Sequence, residues 1–519
     1  MNGTRVYRIR VQGRSKSTAR PSVSRREQPA TELRTHPTHP VIGNAMRRLC
    51  CLLNILWLYL VVPAYAGDMN VVFILVDDWG ATDAAVLGSD FFETPVIDEF
   101  ASQSLMFTQA YSASPVCSPT RAAILTGKSP ARLDMTIWHE NAVTGGPKDQ
   151  PLLEAKAQPN LPREEVTLAD LFKSKDYYTA HIGKWHLGTA AYYPETQGFD
   201  LNVGATSWGA PASFFYPYRG SWSKTDPELR YVPVGPGRPG DYLTDRLTDH
   251  AIKTIEEHRN EPFFVSLWFH TVHTPIQGKP ELVERFKNKP AGVRHSHPEY
   301  AAMVASLDHN VGRVLQKLED LNLADDTIVV LTSDNGGVDF PSQKAGDRVP
   351  TVNTPWRSGK GTLYEGGIRV PLIIRWPGHT QRGTTCRELV TSEDFFPTFV
   401  EGLNLCDDDS TERDGKSLVS LLKDSTAELD RDTLFWHYPH YYPRMTPASA
   451  VRSKDWKLIH SYENDDVELF DLANDPSETT DVSLKYPDLV QGLRIKLDHW
   501  KASTDANTPI PNPDWSVSR

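Results

Sequence analysis

The chain has 519 residues, 39% hydrophobic and 23% charged, with 13 tryptophans and 5 cysteines. That length and apolar content exclude a disordered chain, a collagen-like repeat and a disulfide-packed miniprotein, and predict one large α/β domain with a smaller partner. The net charge of -11 is uneven: residues 1–66 carry 11 Lys/Arg against 2 Asp/Glu, leaving 44 against 64 on the rest, and so acidic a body excludes nucleic acid as a partner.

The basic surplus has a local explanation. Met46-Arg47-Arg48 precedes an apolar run from Leu49 to Val62, and Pro63-Ala64-Tyr65-Ala66 ends it in an Ala-x-Ala pattern. This predicts a signal peptide over 46–66, cleaved after Ala66, with residues 1–45 an upstream extension outside the fold. The run is short for a membrane span and no other segment reaches ~18 apolar residues, so no stable membrane insertion is expected. The mature protein is then exported, periplasmic or secreted. Three cysteines remain in that oxidising setting. Cys386 and Cys406 either pair or stay as thiols, and Cys117 is the odd one.

Asn70 to Val76 is a continuous β-branched and apolar run, which predicts a strand buried on both faces. Similar runs recur at 262–269, 327–332 and 370–376, separated by amphipathic stretches at 165–175, 243–258 and 300–321. The alternation predicts a doubly wound α/β domain over 67–429. Residues 141–163 and 205–240 are rich in Pro, Gly and aromatics and read as long loops shaping a cleft. From 430 to 519 the texture changes: short strands at 433–437, 450–453, 456–461 and 467–471 precede a helix at 486–500. They predict a small antiparallel sheet with a packing helix.

Several constellations carry chemistry. Cys117-Ser118-Pro119-Thr120-Arg121 opens a helical segment, where amides and a cation favour an anion. The pentad alone reads first as a helix-start turn with a small buried cysteine. Asp77-Asp78 and Asp334-Asn335 each end a predicted strand, the place where α/β sheets bind ligands. Together they form a hard oxygen cage suited to Ca²⁺ or Mg²⁺; singly, each is ordinary turn chemistry. Lys184 and Lys360 lie among glycines, as anion clamps or as surface turns. His273 follows a strand, as an acid or base or as a hydrogen-bonded core residue.

Taken in this order, the residues resemble the sulfatase family of the alkaline-phosphatase superfamily. Its signature, Cys-x-Pro-Ser/Thr-Arg followed by Leu-Thr-Gly, is matched at 117–127, with Thr120 where serine is commoner. The resemblance runs from Asp77 through the small C-terminal sheet. It implies an alkaline-phosphatase-like α/β/α sandwich with a large mixed, mostly parallel sheet. It also implies one Ca²⁺ held by Asp77, Asp78, Asp334, Asn335 and a modified Cys117. A formylglycine-generating enzyme would oxidise Cys117 to the aldehyde, whose hydrate attacks the sulfate ester and whose second hydroxyl gives the covalent route its exit. Arg121 and Lys184 would fix this nucleophile, and His186 would act on its second hydroxyl. His273 and Lys360 would grip the sulfate and serve the leaving oxygen, His273 as proton donor. Cations and a metal suit the delocalised anion of a sulfate ester. Asn335 stands where the superfamily's two-zinc phosphatases need a histidine, which favours a single Ca²⁺.

The aromatic segments 207–218 and 436–442 either form a sugar platform, with His437 and His440 reaching substrate, or pack the small sheet against the large domain. The pattern is closer to arylsulfatase A and N-acetylgalactosamine sulfatases than to lipid or steroid sulfatases. The expected protein is an exported, exo-acting sulfatase of sulfated polysaccharide or glycosaminoglycan-type sugars. Its rivals are a formylglycine-dependent phosphonate or phosphodiester hydrolase and a non-catalytic binder of sulfated glycans.

Overall fold

Strand β1 (Asn70–Val76) alternates its side chains between two interiors. Val72, Ile74 and Val76 belong to one apolar cluster and Val71, Phe73 and Leu75 to the other, all of them buried. Each such side chain contributes about 1.5–3 kcal/mol by leaving water. A strand covered on both faces needs no polar alternation, hence the uniformly apolar run.

The computed structural model describes residues 68–221, 229–341, 348–408 and 411–515, which belong to one compact unit. The expected extension and signal peptide at 1–66 lie outside the described residues. β2 (Leu105–Phe107), β3 (Tyr178–Gly183), β4 (Leu201–Val203), β5 (Phe263–Trp268), β6 (Thr327–Ser333), β7 (Leu372–Arg375) and β8 (Thr384–Cys386) join β1 in one sheet. Its order is β8-β2-β7-β6-β1-β5-β3-β4. β7 alone runs against its neighbours, so this is the large, mixed, mostly parallel sheet that the resemblance implied.

Helices α1 (Cys117–Thr126), α2 (Leu168–Ser174) and α5 (Phe395–Leu403) cover one face; α3 (Leu243–Glu257) and α4 (Pro298–Asp320) cover the other. α3 presents Leu247, Ala251 and Ile255 at four-residue spacing to the sheet, the stripe expected of an amphipathic helix. β9 (Thr433–Tyr438), β10 (Ala448–Ser453), β11 (Trp456–Ser461) and β12 (Val467–Asp471) form the small antiparallel sheet. Helix α6 (Pro487–Ser503) packs Leu493 and Leu497 on one of its faces. The other face sets Trp436, Ala450 and Ile459 against Tyr111, Val116 and Ile368, immediately beside the start of α1. Cys386 is a buried free thiol on β8 and Cys406 an exposed one, which decides that expectation against a disulfide. Among the described residues no helix is long and apolar enough to cross a membrane.

Candidate active site

The site follows from strand register. Val76 of β1 pairs with Ser333 of β6, so Asp77 and Asp334 are the next residues on adjacent parallel strands, and Asp78 and Asn335 the pair after them. On the other side of β1, Leu75 pairs with Trp268 of β5, and Trp268 with Gly183 of β3, which brings Lys184 to the same edge. Gly183 has φ 115° and a Cβ there would collide with the Trp268 carbonyl, so only glycine lets β3 end here. Asp78 (φ 61°) and His186 (φ 62°) hold left-handed backbone that costs non-glycine residues energy, a feature that clusters at functional sites.

Charges interlock across this edge. Arg121 reaches back from α1 to donate to Asp334 Oδ2 through Nε (2.9 Å) and Nη2 (2.7 Å), and to the Lys184 carbonyl at 2.8 Å. Lys184 Nζ lies 2.8 and 2.7 Å from the two oxygens of Asp77, and Lys360 Nζ lies 2.5 Å from Asp78 Oδ1. Burial pushes the Asp77 carboxyl up against the pull of Lys184. Burial also pushes Asp78 up, but Lys360, His273 and Lys184 outweigh it and hold that carboxyl well below its usual range. Arg121 and Lys184 do the same for Asp334. Lys360 is conversely held charged by Asp78 against the cost of burial.

The donor set fits a hard cation. Asp77, Cys117 and Asp334 offer ligand atoms within 4.8 Å of one another, as do Asp77, Asp78 and His273. Asp78 Oδ2 and Asn335 Oδ1 are buried oxygens with no hydrogen-bond partner. An orphaned buried acceptor costs about 1–3 kcal/mol unless something satisfies it. Carboxylate and amide oxygens without a converging histidine cluster match Ca²⁺ better than a zinc pair.

Cys117 is the first residue of α1, with all ten residues of that helix buried. Its Sγ lies 3.3 Å from His186 Nδ1, and the opposite ring nitrogen of His186 lies 2.5 Å from Glu140 Oε2. Glu140 accepts from the Gly209 amide at 3.0 Å and faces Arg230 at 3.4 Å. Burial lowers the His186 pKa against the pull of Glu140, so the neutral ring donates to Glu140 and turns a lone pair toward residue 117. His273 Nδ1 donates to the Thr274 carbonyl at 2.7 Å, leaving Nε2 to face Asp78 Oδ2 at 3.6 Å. Burial pushes its pKa down to about 3 against Asp78. His273, the expected proton donor, shares this cavity wall with Lys360, whose charge Asp78 holds in place.

A cavity of about 190 Å³ opens above these groups, lined by Cys117, His186, His273 and Lys360 together with Trp138, Glu140, Arg230 and Tyr442. Of these last four, Tyr442 belongs to the aromatic segment 436–442 read above as a sugar platform or as packing, and Trp138, Glu140 and Arg230 were not anticipated. Glu140 is carried by a short helix (His139–Thr144) and Arg230 by a loop hairpin, so no local pattern marks them. His437 and His440 do not line the cavity. His437 is bonded to Ser449 Oγ (2.7 Å) and the Asn507 carbonyl (2.8 Å), and His440 to Thr136 Oγ1 (2.8 Å) and Glu154 Oε2 (2.9 Å). Both are buried members of the protein's own hydrogen-bond network, not groups presented to a substrate.

Comparison with known proteins agrees with this architecture. The sulfatase family model matches residues 69–405, and a second model, N-sulphoglucosamine sulphohydrolase, C-terminal, matches 357–503. A sulfatase of Formosa agariphila is 31% identical over 85% of this chain and 90% of its own length. Arylsulfatase A of Homo sapiens is 30% identical over 85% and 89%, and steryl-sulfatase of Mus musculus 29% identical over 80% and 79%. Overall identity therefore does not separate this chain from steroid sulfatases as the sequence pattern suggested. The solved structure of Ps i-CgsB in complex with k-i-k-neocarrahexaose superposes with a TM-score of 0.69 at 26% identity, covering 86% of this chain and 94% of that one. The sheet order, the strand-end charges and these matches lead to one conclusion: the chain belongs to the sulfatase family and is a sulfuric ester hydrolase.

Proposed function

We propose that this protein hydrolyses sulfate esters of carbohydrate, using Cys117 oxidised to formylglycine and one Ca²⁺ bound by Asp77, Asp78, Asp334 and Asn335, after export from the cell. One observation carries the reading: a buried cysteine shares a basin with two orphaned oxygens and three carboxylates at adjacent strand ends. When present, the ion and the aldehyde hydrate supply a Lewis acid and a hydroxyl nucleophile of lowered pKa.

The chain's own residues do the rest. Arg121 locks Asp334 and the Lys184 carbonyl, so the ligand carboxylate and the start of α1 keep one geometry. Lys184 offsets the charge of Asp77. Lys360 brings a fixed positive charge to the cavity wall for the sulfate oxygens, with His273 beside it. His186, steered by Glu140, holds a proton-accepting nitrogen at residue 117. Trp138 and Tyr442, edge to face at 5.9 Å, add an aromatic side to the cavity.

The carbohydrate assignment rests on relatives such as N-acetylgalactosamine-6-sulfatase of Homo sapiens, 30% identical over 76% of this chain, and on Ps i-CgsB. Protein from its own host is expected to give an aldehyde mass on the Cys117 peptide, an N-terminus at Gly67, and a melting temperature that EGTA lowers and Ca²⁺ restores. Its activity is expected on sulfated galactose, N-acetylgalactosamine, glucosamine or fucose. An unmodified thiol in active protein, or phosphodiesters turned over faster than aryl sulfate, would overturn the reading.

A further inference from the structure

Tyr442 lines two cavities. One is the 190 Å³ chamber beside Cys117; the other is a groove of about 860 Å³ over the edge of the small sheet, lined by Tyr364, Tyr441, Met445 and Arg444. The chamber is smaller than the roughly 300–1,000 Å³ of pockets that hold drug-sized ligands, so it takes little more than a single ring. Tyr442 is a fixed partition. Its ring lies where a Cβ on Gly361 would collide with it, and Trp138 and Phe340 each meet it edge-on at 5.9 Å. A ligand that fills the chamber and extends past this ring enters the groove.

The lining says what that extension is. Tyrosine and methionine side chains stack well on sugar rings, and the Gln150 amide suits hydroxyls. The charges argue against further sulfates. Arg444 is paired with Asp339 at 2.5 Å and Glu468 with Arg357 at 3.6 Å, while Glu463 and Asp466 add two further carboxylates to the lining. A sulfate beside those two carboxylates is repelled.

We propose that this groove binds the uncharged sugar units next to a sulfated terminal ring. The substrate is then an oligosaccharide sulfated at its end, in preference to an isolated sulfated sugar, a steroid sulfate or a small aryl sulfate. The orientation of the ligand rests on the sulfatase reading above; the groove itself can be tested without it.

The experiment takes the best monosaccharide sulfate among galactose, N-acetylgalactosamine, glucosamine and fucose, and the trisaccharide carrying that ring at its non-reducing end on two unsulfated galactose units. The wild-type protein is expected to favour the trisaccharide about tenfold through KM, the size of one good aromatic contact. Tyr441→Ala and Arg444→Ala are each expected to erase most of that preference while leaving the monosaccharide rate within about twofold. Arg444 is exposed, so its removal leaves the fold intact if Tyr441→Ala does not. A trisaccharide sulfated on all three rings should lose the advantage, and Asp466→Asn should return part of it. Equal rates on both lengths, or variants that slow both alike, overturn the proposal. Should no sulfate ester be cleaved, the sulfatase reading fails instead. Calorimetric titration with the unsulfated galactose trisaccharide then still reads the groove: binding weakened by Tyr441→Ala supports it, and no binding overturns it.

Discussion

The strand-end basin and the segment 436–442 are equally dense in polar and aromatic side chains, yet they are organised in opposite ways. In the basin each buried cation meets a carboxylate, and the oxygens left over, Asp78 Oδ2 and Asn335 Oδ1, point inward without partners. In the segment, the indole and both histidines are bonded within the protein, the buried Tyr438 hydroxyl being the exception. Trp436 donates to the Ser112 carbonyl at 2.9 Å, and both histidines are bonded at both ring nitrogens. Only its end, Tyr441 and Tyr442, turns to the cavities. What sets the basin apart is that its unpaired oxygens share one strand edge with three carboxylates, whereas the two histidines of the segment are tied up by neighbours.

The largest expected effect breaks the basin. Arg121→Ala leaves the buried Asp334 without its partner, which costs about 3–5 kcal/mol in the urea or thermal unfolding of the protein. It also lowers aryl sulfate turnover about 10³-fold or more, since the start of α1 loses its tie to the strand ends. A variant of near wild-type stability would show that the interlocked charges do not hold the basin. Lys360→Ala separates function from fold: kcat/KM is expected to fall about 10²–10³-fold. Its unfolding midpoint should fall too, because the buried Asp78 loses its ion-pair partner, but less than that of Arg121→Ala, because Lys360 stands at the cavity wall.

His440→Ala probes the other region. Stripping partners from Thr136 and the buried Glu154 carboxylate is expected to cost about 1–3 kcal/mol of stability with KM unchanged. A raised KM at unchanged stability would return this histidine to the substrate site.

An effect confined to one pH window sharpens the lesson away from both regions. Burial pushes the Glu393 carboxyl up to about 7, with Thr391 as its hydrogen-bond partner and no cation among the causes. Its folded pKa exceeds the unfolded value of about 4.3, so the folded state binds the proton more tightly. Stability from this group is full below the unfolded pKa and is lost as pH rises through about 7. Glu393→Gln should therefore gain about 1–3 kcal/mol on the wild type between pH 5 and pH 8, read from unfolding midpoints. A gap that does not change with pH would refute the assignment.

Much of the fold was legible because burial on both faces writes a plain signal. β1, β5 and β6 are apolar runs, and α3 and α4 carry their stripes. β3 escaped because His181, fully buried and edge-on to Trp185 and Trp268, interrupts its run. β2, β4 and β8 are three residues each, too short for a period to show. In the site, the motif residues were legible because each stands next to a strand end or helix start. Glu140 and Arg230 were not, since their meaning depends on partners far along the chain: Glu140 is 46 residues from His186.

The sequence by itself determined the inventory: which runs must be buried, and which carboxylates, lysines and cysteine stand at their ends. The periodicity and turn chemistry that decide this act over a few residues. Tertiary structure alone decided the register that sets Asp77 beside Asp334, the burial that ties up His437 and His440, and the placing of Tyr441 and Tyr442 on cavity walls. Whether a polar or aromatic side chain packs or binds depends on what the rest of the chain lays against it, and that is settled only when distant segments meet.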